Sequence, residues 1–72
     1  MDEIEKLRVL IPYWIFHNTE HANEFLDWNM RVGEPMPEIQ AAANALEQAN
    51  QSLAAALEKL GGASESSIPG LD

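Results

Sequence analysis

The residues best suited to chemistry stand in the segment Ile11–Phe25, which holds both histidines of the chain, His17 and His21. On a helix, residues four apart lie on one face one turn apart, where two imidazoles can share one metal ion. Glu24 follows His21 by three residues and reaches the same edge, whereas Glu20 sits further round. His17-x-x-x-His21-x-x-Glu24 therefore offers three ligands in line, with Glu47 of a facing helix as a fourth candidate. Imidazole and carboxylate donors suit zinc, nickel, iron or manganese. The competing use of the same residues is hydrogen bonding. A buried His or Asn bonded across a helical bundle fixes register at some cost in stability.

Three features weigh against enzymatic chemistry. A zinc-protease run needs Glu directly after the first His, and Asn18 stands there. Di-iron bundles use Glu-x-x-His, but here the order is reversed, as His17-x-x-Glu20 and His21-x-x-Glu24, and residues 37–60 hold no His. Cysteine is absent, there is a single Tyr, and serine is confined to Ser52 and the last residues. No nucleophile constellation or glycine-rich phosphate cradle can be assembled. The expectation is a non-enzymatic protein that needs no cofactor, with divalent-metal binding through His17, His21 and Glu24 as the alternative.

Helices must position these groups. Ile4, Leu7, Ile11, Trp14, Asn18, His21, Phe25, Trp28 and Val32 alternate three and four apart, a heptad-type seam with two polar residues at its centre. Pro12 costs one backbone hydrogen bond inside a helix. The stripe keeps its phase across it, which predicts one helix over about 3–31, kinked near Pro12. Gly33-Glu34-Pro35-Met36-Pro37 breaks the pattern and predicts a turn over 33–36. Ile39, Ala42, Leu46, Ala49, Leu53, Ala56 and Leu60 then resume it, among strong helix formers, to the stop at Gly61-Gly62. The second helix is expected over about 37–60. Residues 1–62 thus form the hairpin, and 63–72 read as a flexible tail.

A connection this short makes the helices antiparallel neighbours. The fold class is all-α, a two-helix hairpin. Its register sets Asn18 opposite Asn50 or Gln51, and His21 opposite Glu47 or Gln48, a His/Asn/Gln polar layer in the middle of the bundle. Leu10, Ile15, Phe16, Ala22, Leu26 and Met30 flank the first seam, more apolar surface than one partner helix covers. Seventy-two residues without cysteine also make a small core. Both points favour a homodimer in which two hairpins pair into a four-helix bundle.

The charge narrows the partners. Twelve acids against four Lys and Arg give a net −8, with neither half basic. Such a chain is a poor match for phosphate backbones and for anionic membranes. No apolar run approaches the roughly 20 residues of a membrane span. The acidic start differs from a secretory signal, so a cytoplasmic location is expected. The expected role is an oligomerisation or interaction module, with a protein partner of unspecified kind.

The chain also resembles a small uncharacterised prokaryotic helical-hairpin family. That family carries Leu-Arg-Val-Leu-[Leu/Ile]-Pro-His-Trp-Ile-Glu-His-Asn-x-Glu-His-Ala-x-Glu-Phe before an Ala/Leu/Glu-rich helix. Leu7 to Leu10, Pro12, Trp14, Ile15, His17, Asn18, Glu20, His21, Ala22, Glu24 and Phe25 match it. Tyr13 and Phe16 depart, replacing a His and a Glu that could have served as ligands. The resemblance spans roughly residues 6–60. It implies the same two-helix organisation and no particular activity.

Overall fold

A computed structural model describes residues 2–64 as two helices, α1 (Glu3–Arg31) and α2 (Pro37–Lys59), packed against each other. No strand occurs among the described residues. Asp2 begins α1 as its N-cap, its carboxylate accepting from the Glu5 N–H at 2.8 Å. Glu3 and Glu5 in the first turn and Arg31 in the last complement the helix dipole. Neither helix is long and apolar enough to cross a membrane.

The helix runs through Pro12, and the cost falls on Arg8. Proline has no N–H, so the Arg8 carbonyl four residues earlier loses its partner inside the helix. The Ser64 N–H takes that place, donating to Arg8 O at 3.1 Å. Around this bond the Arg8 guanidinium donates from Nε to Gly62 O at 2.8 Å and from Nη2 to Ala63 O at 3.5 Å. Its Nη1 pairs with Glu5 Oε1 at 2.8 Å. The proline thus creates a docking point for the chain leaving α2. Of the expected tail 63–72, Ala63 and Ser64 are held on α1, and 65–72 lie outside the described residues. An Arg8→Ala chain should lose about 2 kcal/mol, the range for hydrogen bonds to a charged group. Amide exchange at Gly61 to Ser64 should speed up far more than exchange at mid-helix.

Two other devices close the hairpin. Gly33 takes a positive φ of 80° at the end of α1, a conformation that side chains with a Cβ rarely adopt. Asn29, 5% exposed, then holds the start of α2. Its Oδ1 accepts from Met36 N at 2.7 Å, and its Nδ2 donates to Met36 O at 3.2 Å. Met36 is the N-cap of α2 and has no side-chain cap of its own, so Asn29 does the fastening from the other helix. At the far end the Gly62 N–H donates to Leu57 O at 2.9 Å, and the Gly61 N–H to Glu58 O at 3.1 Å. That pairing is a Schellman stop, with both glycines at positive φ.

The seam has a different phase from the one the apolar spacing suggests. Ile11, Ala22 and Asn29 are buried on α1, with Ile15, Asn18 and Phe25 half-buried. On α2 Ala43 is buried, with Ile39, Leu46, Asn50, Leu53, Leu57 and Leu60 half-buried. The Ile11, Asn18 and Phe25 row is shared with the expected seam. Trp14, His21 and Trp28 are replaced by Ile15, Ala22 and Asn29, one residue on. Ala42, Ala49 and Ala56 likewise give way to Ala43, Asn50 and Leu57. Periodicity ranks all apolar residues alike, but closely packed helices need small or well-shaped residues at the contact. Ala22 and Ala43 fit between the backbones; an indole does not. The tryptophans are turned to the flank.

Candidate functional site

The flank carries the unusual features of the molecule. Helical spacing sets Leu7, Trp14, His21 and Trp28 on one side of the α1 seam and Ala42, Ala49 and Ala56 on the matching side of α2. Both rows open on the same face, because Phe25 and Trp28 line an apolar groove of about 300 Å³ with Ile39 and Ala42, rimmed by Glu38. Trp28 is 55% exposed and Trp14 39%. The three alanines are exposed as well. Large rings on one helix therefore stand beside a trough of methyl groups on the other. Arg31 covers part of Trp28, its guanidinium 5.0 Å from the ring centre, while pairing with Asp27 at 3.0 Å.

Beside this face runs a ladder of rings at four-residue spacing. Tyr13 stacks on His17 with centroids 5.8 Å apart, His17 meets His21 edge-on at 4.5 Å, and His21 leans towards Phe25 at 6.3 Å. The two histidines touch through their Nε2 atoms, 3.1 Å apart. Glu24 Oε1 lies 3.5 Å from His21 Nδ1, the other ring nitrogen. The structure thus brings His17, His21 and Glu24 together, but with Glu24 behind His21 rather than beside the paired nitrogens. Glu47 flanks the seam on the opposite side, with Thr19, and does not join them. His21 is exposed and bonds to its own helix rather than facing Glu47 or Gln48. Among the described residues, no group of three or more His, Cys, Asp or Glu is placed to hold a metal ion.

The polar layer between the helices is made by other residues. Asn18 Nδ2 donates to Asn50 Oδ1 at 3.0 Å, Asn50 Nδ2 donates to Thr19 Oγ1 at 3.0 Å, and Thr19 Oγ1 donates to Ile15 O at 2.9 Å. The expected pairing of Asn18 with Asn50 is present, without a histidine in it. These bonds exist in one register only, so the layer fixes how the helices slide. Asn50→Ala should cost about 1 kcal/mol by thermal or denaturant unfolding. Asn18→Leu with Asn50→Leu should recover or exceed the original stability, because the replaced pair leaves no half-satisfied amide.

One family model, a domain of unknown function (DUF8180), matches residues 7–60, the span from the first turns of α1 to the end of α2. The chain belongs to the DUF8180 family. The matched span begins just before Arg8 and takes in the histidine ladder, the Asn18–Asn50 layer, the Asn29 fastening and the alanine row. Every feature of this DUF8180 site apart from the docked Gly61–Ser64 segment falls within it. No curated protein and no solved structure matches the chain.

Proposed function

We propose that this protein is a self-pairing helical module, without catalytic activity, whose tryptophan–alanine face is closed by a second copy to form a four-helix bundle. One observation carries the reading: with Ile11, Ala22 and Ala43 the only buried apolar residues among those described, two tryptophans stay half-open on one face. So small a core supplies little stability by itself. The described chain is a slab of 47 × 24 × 14 Å, whose broad face exceeds the roughly 800 Å² that each partner contributes to a stable interface.

The distribution of bulk also favours one way of pairing. Antiparallel register sets Trp28 level with Ala42, His21 with Ala49, and Trp14 with Ala56. A two-fold axis parallel to the helices then lays the tryptophans of each copy over the alanines of the other. Large and small residues alternate around each layer, as close packing requires. An axis perpendicular to the helices sets indole against indole and methyl against methyl, crowding one helix pair and leaving a gap at the other.

The emission of Trp14 and Trp28 tests this directly. In the paired protein it should lie at shorter wavelength than in a chain whose alanine row carries a charge. Identical emission from the two chains at micromolar concentration would contradict the pairing.

A further inference from the structure

We propose that His17 and His21 form a two-nitrogen site for one divalent transition-metal ion, of the zinc or nickel type, on the exposed edge of α1. Both ligands belong to one helix, so the site needs no residue of a second copy, although His21 also lies on the face proposed to pair. Their Nε2 atoms are 3.1 Å apart. An ion at the usual 2.0–2.1 Å from each nitrogen would subtend an angle of about 100° between them. That angle falls between those of octahedral and tetrahedral neighbours, so a small rotation of each ring admits the ion.

The protonation pattern fits the same use. With a proton on His21 Nδ1, held towards Glu24 Oε1 at 3.5 Å, the lone pair of His21 is on Nε2. His17 Nε2–H then donates to it. An ion entering between the rings takes the place of that proton, which shifts to His17 Nδ1 so that both imidazoles bind in their neutral form. A carboxylate behind a ligating imidazole is the usual support for such a site, fixing the tautomer and raising ligand basicity. Tyr13 and Phe25 bracket the two rings and limit their rotation. Because no third His, Cys, Asp or Glu joins them among the described residues, water fills the remaining positions. The site is therefore selective for ions that favour imidazole over oxygen ligands, and magnesium or calcium should not bind.

The test is calorimetric titration of nickel and of zinc into the full chain without a histidine tag, beside His17→Ala, His21→Ala and Glu24→Gln. His17, His21 and Glu24 are exposed in the hairpin. Circular dichroism checks that the helices persist, and light scattering checks that each variant, His21→Ala above all, keeps the mass of the unmodified protein. One ion should bind per chain. Either alanine variant should lose at least about tenfold in affinity, and Glu24→Gln should lose about tenfold, the usual effect of removing a supporting carboxylate. Binding that survives the double alanine variant would overturn the assignment, as would the lack of any heat at millimolar metal. Equal affinity in Glu24→Gln would remove the carboxylate from the account.

Discussion

Ala49→Glu should convert the protein to a monomer while leaving the hairpin folded. Ala49 is exposed in the isolated hairpin and lies outside the seam, which passes through Leu46, Asn50 and Leu53. A carboxylate there costs the hairpin almost nothing. In the bundle it would be buried at the centre of the face, once from each copy. An unpaired buried charge costs about 3 kcal/mol or more, and 1.4 kcal/mol is a tenfold change in affinity. Pairing should weaken by at least about a hundredfold per substituted face. Ala55→Glu, on the outer side of α2, is the matched control and should leave the assembly intact. Light scattering after size exclusion reads both. If Ala49→Glu kept the mass of the unmodified protein, the tryptophan–alanine face would not be the interface.

The second large effect belongs to Asn29. Replacing it with Leu keeps the bulk of the side chain but removes both bonds to Met36. The Met36 N–H is left without its acceptor at the point where the chain enters α2. The expected loss is about 2 kcal/mol, which for a domain of this length lowers Tm by about 10 °C. Asn29→Asp keeps an acceptor for Met36 N–H and loses only the donor, so it should fall between. A thermal melt of the three chains gives the order directly. An Asn29→Leu chain as stable as the original would mean that Gly33 and Pro37 alone close the turn.

These two positions also show what the sequence could and could not convey. The helices were legible because their course and ends carry explicit signals: an unbroken 3-4 stripe, Gly33 and Pro37 around the turn, Gly61-Gly62 as a stop. The Asp2 cap emerged only from the structure. The Asn18–Asn50 pairing followed from the register alone. The face that packs did not follow. Apolar residues occupy both flanks of α1, so a 3-4 spacing fits two adjacent stripes equally well. Which one closes depends on where small residues permit contact, a property of both helices together. Asn29 illustrates the same limit. Read singly it is a polar residue in a helix, and its role appears only when the turn brings Met36 back to it. The bond from Ser64 to Arg8 is of this kind too, since Pro12 announces a freed carbonyl but not the group that fills it.

For the histidines, spacing conveyed the neighbourhood but not the arrangement. His17 and His21 meet as a four-residue step on a helix requires. Spacing alone makes Glu24 a third ligand on the same edge, yet it reaches the far nitrogen of His21. A three-residue step turns the carboxylate back along the helix, behind the ring rather than in front of it. Side-chain direction decides the difference, and residue intervals carry no such information.

Sedimentation equilibrium of the unmodified chain at micromolar concentration decides whether two copies pair. One chain has a mass of 8.0 kDa. Pairing requires a species of twice that mass, dissociating reversibly on dilution. A single species of one chain's mass across the whole concentration range would contradict it.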